Sequence, residues 1–215
     1  IETGWSKLDP LFKRHVDTEK YQSEQPLILY APTFSPKLTS TYALYPYIQK
    51  LLEEENWHWI VKLHPKATKE EISMYKALAG EKLRFIETGD IIPILQAADI
   101  IVSDTSSILA EFSLQGKLAI AYKNRRPESW MLNFQQAELL SDLIRQAIFN
   151  NAEQLSKVIE HGQAIHPYKD GRSSERVLQA IESLIDSGVE LLKKKPLNLI
   201  RRLKIRKKLK YYRWK

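Results

Sequence analysis

Short runs of β-branched and aromatic residues alternate along this chain with stretches of helical periodicity. That alternation is typical of parallel βα units and disfavours a β-sandwich. We therefore predict an α/β fold built on a Rossmann-like parallel sheet. The predicted strands are Leu27 to Tyr30, His58 to Leu63, Leu83 to Ile86, Asp99 to Val102 and Leu118 to Tyr122. The predicted helices are Tyr42 to Glu55, Lys69 to Leu78, Ile91 to Gln96, Ser107 to Gln115, Ala137 to Phe149, Ala152 to His161 and Ser174 to Ile185.

Polar residues follow three of these strands directly. In an open parallel sheet, ligands bind outside the carboxyl ends of the strands, where the βα loops converge. The sequence has Ala31-Pro32-Thr33 after the first strand, His64-Pro65-Lys66 after the second and Ser103-Asp104-Thr105-Ser106-Ser107 after the fourth. We expect the three segments to share one edge, and we assign Thr33 to a phosphate site there.

The segment after the fourth strand has the pattern of a phosphate site. A buried strand runs into a hydroxyl-rich turn and then into a helix. The first N–H groups of a helix have no partner within it and lie at the positive end of its dipole, so an anion is stabilised there. Thr105, Ser106 and Ser107 add hydroxyl donors, and Asp104 belongs to the same turn. The alternative is that Asp104 or Ser106 merely caps the helix.

His64 and Glu111 are candidates near the same edge. A histidine at the end of a central strand can donate to a phosphate oxygen or move a proton near neutral pH, so His64 is the candidate catalytic residue. Alternatively His64 is structural, and Pro65 alone explains the end of the strand. Glu111 lies one helical turn after Ser107 and could accept hydrogen bonds from a ribose. A solvated helix carboxylate is the alternative for Glu111.

Five segments, in this order, resemble the C-terminal half of the CDP-glycerol glycerophosphotransferase family, whose enzymes make teichoic-acid and related capsule polymers. They are Thr-Gly-Trp-Ser-Lys-Leu-Asp at 3–9, Leu-Tyr-Ala-Pro-Thr-Phe at 29–34, Val-Lys-Leu-His-Pro at 61–65, Ala-Asp-Ile-Ile-Val-Ser-Asp-Thr-Ser-Ser-Ile at 98–108 and Lys-Asp-Gly-Arg-Ser-Ser-Glu-Arg-Val at 169–177. The chain begins Ile-Glu-Thr-Gly without an initiator Met, so we treat it as a C-terminal piece.

The resemblance implies the donor-binding domain of a GT-B enzyme, in which two Rossmann-like domains face each other across a cleft. The reaction would move glycerol phosphate, or a similar polyol phosphate, from a CDP-activated donor to an acceptor hydroxyl and release CMP. His64 and residues 105–107 would then contact donor phosphate, and Asp104 would shape the turn. The family's catalytic base comes from the other domain, so this piece alone should be inactive.

Two departures from the family pattern leave the donor open. The family has a Pro-Arg pair after the first Gly, where this chain has Trp5, Ser6 and Lys7, and an aromatic residue before the paired serines, where it has Thr105. A GT-B glycosyltransferase or epimerase that uses a UDP-sugar is therefore the second hypothesis. A non-catalytic binding module with a basic tail is the third.

The segment Asp170-Gly171-Arg172-Ser173-Ser174 precedes a predicted helix and has two interpretations. The pattern favours a turn followed by a helix N-cap. The functional alternative is a second set of phosphate donors formed by Arg172 and Ser173.

Positive charge is concentrated at the end of the chain. Residues 193–215 carry 12 of the 33 Lys and Arg and no acid, so residues 1–192 have 21 bases against 26 acids, a balance of −5. A nucleic-acid partner is therefore not expected for the body. We predict a donor-binding domain over 1–192 and a basic amphipathic tail over 193–215. The tail is expected to bind an anionic membrane surface, with a solvated, disordered tail or RNA binding as alternatives.

The partners would be CDP-glycerol or a related activated donor and a polymer or lipid-linked acceptor, and we expect no cofactor and no metal. The chain has no Cys and no apolar run near the ~18 to 20 residues of a membrane span. We therefore expect a cytoplasmic protein that is peripheral to the inner face of the plasma membrane.

Overall fold

The computed structural model describes residues 1–13, 18–21, 23–149, 151–188 and 196–211. The chain forms two compact units, Ile1–Val177 and Leu178–Lys215. The predicted division into 1–192 and 193–215 stays a prediction, and residues 193–195 and 212–215 of that tail lie outside the described residues.

One parallel sheet of six strands forms the centre of the first unit. Its strands are β1 Leu27–Tyr30, β2 His58–Val61, β3 Leu83–Phe85, β4 Ile100–Ser103, β5 Leu118–Tyr122 and β6 Leu132–Phe134. Their spatial order is β3-β2-β1-β4-β5-β6, and every pair is parallel. The predicted α/β class with a Rossmann-like parallel sheet is confirmed. Strand β6 was not predicted, because three residues with the polar Asn133 at the centre give no strand pattern.

Four helices connect the strands from β1 to β5, namely α1 Thr41–Glu54, α2 Lys69–Ala77, α3 Ile92–Ala97 and α4 Ile108–Ser113. Three more follow β6, namely α5 Leu140–Phe149, α6 Ala152–Ile165 and α7 Ser173–Asp186. Shorter 3-10 helices form at Ser6–Phe12, Glu19–Tyr21 and Ala137–Leu139. Every residue of β1, β4 and β5 is buried, because helices cover both faces of a parallel sheet.

Helices α4 and α6 differ from their predicted lengths by three and four residues. Helix α4 has six residues instead of the predicted nine, and the chain leaves it through Gly116, which has a left-handed φ of 74°. Helix α6 continues past its predicted end at His161 to Ile165. Gly162 lies inside it and is buried against the end of α4, where a Cβ would make an ordinary van der Waals contact 3.7 Å from the Leu114 Cα.

The strand order reverses between β1 and β4. Strands β2 and β3 lie on one side of β1, whereas β4, β5 and β6 lie on the other. Such a reversal leaves a crevice at the carboxyl ends of the two central strands, because their loops turn away in opposite directions. The loops that carry Thr33 and Asp104 therefore border this crevice.

The second unit contains one helix of basic composition, α8 Leu199–Lys208. It begins after Asn198, whose φ is 48°, so Pro196 lies before the helix. Leu199, Ile200 and Leu203 are exposed on α8. In the part of the chain that the structure describes, no helix combines the length and apolar character required to cross a bilayer.

Candidate functional site

A cavity of about 350 Å³ lies at the carboxyl edge of the sheet, bordered by the residues that follow β1, β2 and β3 and by the β4–α4 turn. Its polar and charged lining includes Lys7, Lys62, His64, Thr88, Ser106, Ser107 and Glu111. Four of these are predicted site residues, so the structure brings together side chains that are up to 47 positions apart in the sequence. The two lysines were not predicted.

The turn Thr105 to Ser107 has unused donors. Within the described residues, the amides of Ser106 and Ser107 donate to no acceptor. The Ser106 Oγ is 3.5 Å from the Ile108 amide, and the Ser107 Oγ is 3.5 Å from the Glu111 carboxylate, so both contacts are long. Since α4 is short, the amides and hydroxyls of the turn, rather than a long helix dipole, are what an anion would meet.

Asp104 points away from the cavity. The carboxylate is buried and accepts from the Thr33 amide at 2.9 Å and from the Ser40 amide and hydroxyl at 2.9 Å each. Burial raises the pKa of Asp104 although these hydrogen bonds oppose the rise. The carboxylate thus ties the segment between β1 and α1 to the end of β4, which agrees with a residue that shapes the turn. The Thr33 amide is used in this contact, and Thr33 does not line the cavity.

His64 is exposed at the cavity and has a defined orientation. Its Nδ1 accepts from the Lys66 amide at 3.1 Å, which leaves Nε2 as the nitrogen that carries the proton of the neutral ring. The Phe34 ring lies 4.2 Å from the imidazole, centroid to centroid. Partial burial, followed by the charges of Lys66 and Lys62, lowers the pKa of His64. The ring is therefore a neutral N–H donor at neutral pH, suited to a phosphate oxygen.

Glu111 is not the solvated carboxylate that the sequence allowed. It is buried, and its Oε1 lies 2.5 Å from the Lys7 Nζ. Lys7 reaches the cavity from the 3-10 helix Ser6–Phe12. Lys62 adds a second cation to the wall, and partial burial lowers its pKa. The cavity therefore has two cations, one buried carboxylate and free N–H groups.

Lys7 was missed although it lies in a segment that carries the family resemblance. Its partner Glu111 is 104 residues away, so no local pattern predicts the contact. The available signal was that Lys7 lies in the stretch Trp5 to Lys7, where the family that the chain resembles has a Pro-Arg pair.

Arg172 and Ser173 lie outside this cavity. The amides of Ser173 and Ser174 donate to the two oxygens of Asp9 at 2.8 Å each, and the Ser174 hydroxyl donates at 2.6 Å. Burial would raise the pKa of Asp9, but the bonds from Ser174 and Ser173 outweigh it and lower the pKa. The Arg172 guanidinium pairs with Glu175. This arrangement is the turn and N-cap that the sequence favoured, with the cap supplied by a distant carboxylate.

A second cavity of about 300 Å³ adjoins the first. The two share Lys62, His64 and Thr88, whereas Ile72 and Phe85 give the second cavity apolar walls. A ligand with an anionic part and a flat, less polar part would match this pair of cavities.

The chain is similar in sequence to known proteins. A family model described as UDP-N-acetylglucosamine 2-epimerase matches residues 36–182. Teichoic acid glycerol-phosphate primase of Bacillus subtilis strain 168 is 27% identical over 207 residues, which cover 86% of this chain and 51% of that protein. The chain thus spans about half the length of this curated relative. The similarity confirms the resemblance to glycerophosphotransferases that the five segments indicate.

Two solved structures have the same fold. The wall teichoic acid polymerase TagF matches with a TM-score of 0.62 at 14% identity, over 88% of this chain and 53% of TagF. MnaA of S. aureus, solved with UDP, matches with a TM-score of 0.61 at 18% identity, over 91% of this chain and 56% of MnaA. A variant of TagF was solved after a soak with CDPG. The prediction of a Rossmann-like domain of GT-B type is confirmed.

Proposed function

From the premise that this chain belongs to the UDP-N-acetylglucosamine 2-epimerase family, we propose that it is the donor-binding half of a polyol-phosphate transferase. The donor is CDP-glycerol or a similar CDP-activated polyol phosphate, and the acceptor is a hydroxyl of a cell-surface polymer. The similarity to the glycerol-phosphate primase supports this choice. The observation that carries the proposal is the cavity in which His64, the free amides of the β4–α4 turn and two lysines meet.

The donor diphosphate fits the polar cavity. Lys7 and Lys62 supply positive charge, and the amides of Ser106 and Ser107 supply oriented N–H groups with no competing acceptor in the described chain. The His64 Nε2–H adds a neutral donor, because the Nδ1 is held by Lys66. Fixed N–H donors of this kind favour negative charge that builds up on a leaving phosphate.

The nucleoside of the donor would lie against Glu111 and in the adjoining apolar cavity. Glu111 can accept from ribose hydroxyls, which is chemistry that a carboxylate suits. The base would lie in the adjoining apolar cavity, between Ile72 and Phe85. Binding of a ribose at Glu111 would compete with Lys7 for the carboxylate and free the lysine for phosphate.

In the proposed transfer of glycerol phosphate, CMP is the leaving group. The acceptor oxygen attacks the phosphorus that bears glycerol, the bond from that phosphorus to the CMP oxygen breaks, and CMP departs. The hydroxyl proton goes to a base outside this chain, as the resemblance implies. His64 and the turn amides stabilise the CMP phosphate, so this half alone binds the donor without turning it over.

Thermal unfolding with nucleotides tests the proposal. A ligand at one hundred times its Kd stabilises the native state by about 2.7 kcal/mol, which is measurable as a rise in Tm. We expect CDP-glycerol and CMP to raise Tm more than UDP at equal concentration. An unchanged Tm with every cytidine nucleotide contradicts the proposal.

A UDP-sugar is the second candidate donor. The family model and the likeness to MnaA, which was solved with UDP, favour it. The same assay separates the two, since a UDP-sugar enzyme would be stabilised by UDP and its sugar conjugates and not by CMP.

We also propose that the second unit attaches the protein to the inner face of the plasma membrane. Leu199, Ile200 and Leu203 are exposed on α8, and Arg201 and Arg202 lie between Ile200 and Leu203 in the sequence. Cations near an anionic bilayer contribute about 1 kcal/mol each. Sedimentation with vesicles should bring down the chain when they contain anionic lipid and leave it in solution when they contain phosphatidylcholine alone.

A further inference from the structure

The loop after β5 has a fixed backbone at the same edge of the sheet. Lys123 has a φ of 47°, which turns the chain sharply as it leaves the strand. The Lys123 amide donates to the Phe134 carbonyl at 2.8 Å, and the Asn124 amide donates to the Asn133 side chain at 3.0 Å. Strand β6 therefore anchors the start of the loop.

The same loop is bonded to the β4–α4 turn. The Asn124 side chain donates to the Asp104 carbonyl at 2.8 Å, and the Arg125 amide donates to the Thr105 hydroxyl at 3.2 Å. Because β5 and β1 lie on opposite sides of β4, this loop flanks the turn on the side away from β1 and β2. Thr105 thus faces the loop, whereas Ser106 and Ser107 line the donor cavity.

Two arginines of this loop are uncompensated. Arg125 and Arg126 are exposed, and within the described part of residues 1–177 their guanidinium groups contact no acceptor. All other arginines of that part donate to a carboxylate or a carbonyl: Arg84, Arg145, Arg172 and Arg176. Residues 1–192 have 21 bases and 26 acids, so two free guanidinium groups at the ligand edge stand out against an acidic body.

We propose that Arg125 and Arg126 bind a phosphate of a polyanionic acceptor chain. This inference rests on the proposed function, under which each transfer lengthens a polymer that carries one phosphate per unit. Guanidinium groups bind phosphate through paired N–H donors, and a loop with a fixed backbone loses little freedom on binding. Neither arginine lines the donor cavity, which has its own cations in Lys7 and Lys62.

NMR of the arginine side chains in the full chain tests the inference. The Nε–H signals of the two arginines are assigned by their loss in Arg125→Gln and Arg126→Gln, and the chain is titrated with a short glycerol-phosphate oligomer. A site-resolved signal is needed because the basic residues of 193–215 also attract polyanions. We expect both signals and the Thr105 amide to shift. The double variant should bind the oligomer at Thr105 about tenfold more weakly.

A lysine double variant serves as the control for lost charge, and CMP serves as the control for donor binding. Lys50→Gln with Lys157→Gln removes the same charge from exposed sites on α1 and α6 and should leave the oligomer affinity at Thr105 unchanged. CMP should still shift the Ser106 and Ser107 amides in the arginine double variant. Unmoved arginine signals, or equal losses in both double variants, overturn the inference. A loss of CMP binding in the arginine variant would assign these side chains to the donor and also overturn it. Absence of CMP binding in the unmodified chain would instead count against the proposed function.

Discussion

The turns 104–107 and 170–174 both lead from an aspartate through hydroxyl residues into a helix, but they end in different chemical states. In the first, Asp104 turns inward to Thr33 and Ser40, and the amides of Ser106 and Ser107 stay free for a ligand. In the second, the Asp9 carboxylate occupies the helix start and takes the corresponding amides. A helix start is thus a ligand site only where no carboxylate from elsewhere in the chain already fills it.

The largest effect on stability should come from removing the Asp104 carboxylate, which holds the turn 104–107 to the segment between β1 and α1. Asp104→Ala removes three hydrogen bonds to a buried carboxylate and leaves the Thr33 and Ser40 amides unpaired. We expect a loss of about 3 kcal/mol in the free energy of unfolding, measured with urea. Asp99→Ala, at the other end of β4, breaks one part-buried hydrogen bond, donated by the Leu27 amide, and should cost about 1 kcal/mol. Equal losses in the two variants would refute the anchoring role of Asp104.

The next largest effect on stability should come from removing the charge of Asp9, whose carboxylate accepts the amides of the turn 170–174. Asp9→Asn should cost about 1 to 2 kcal/mol at neutral pH, because the cap of α7 loses its charge. Since the pKa of Asp9 is lowered in the folded state, its stabilisation is present above the unfolded pKa of about 3.9 and is lost as pH falls through the folded value. The stability of the variant should therefore fall less steeply than that of the unmodified chain in this acid range.

Asp90→Asn is the control for that pH profile. Asp90 is exposed and accepts only from the Ile92 amide at 3.0 Å. Its replacement controls for the loss of one carboxylate at an exposed site. A profile of Asp9→Asn that overlays the unmodified one would contradict the assignment of Asp9 as a charged cap.

The smallest effect should appear in ligand affinity. Lys7→Gln removes a cation from the donor cavity and should weaken CMP binding about tenfold, in line with the loss of one charge-assisted hydrogen bond. Isothermal titration measures this change, with Lys50→Gln as the control on the exposed face of α1. An unchanged CMP affinity in Lys7→Gln would remove Lys7 from the site.

The strands and the residues that follow them could be predicted because they have a local sequence pattern. Strands buried on both faces are short apolar runs, so Leu27–Tyr30 and Leu118–Tyr122 are identifiable without the structure. Residues that follow such strands must lie at one edge, which is why His64 and Ser106 could be placed together before their distance was known.

The parts that were missed depend on contacts between distant segments. Lys7 meets Glu111 across 104 positions, and Asp9 meets Ser173 across 164, so neither contact leaves a periodic signal. The sequence favoured different roles for the two turns, but the residues of the turn 170–174 do not show that Asp9 is the group that caps it. The N-terminal segment that fills one turn also delivers Lys7 to the other site.

The central claim, that the turn 105–107 binds phosphate and the turn 172–174 does not, is tested most directly by an NMR titration of the backbone amides with CMP. We expect the Ser106 and Ser107 amides to shift with one common Kd, while the Ser173 and Ser174 amides stay where they are because they are bonded to Asp9. Shifts confined to Ser173 and Ser174, or none at Ser106 and Ser107 at saturating CMP, would contradict it.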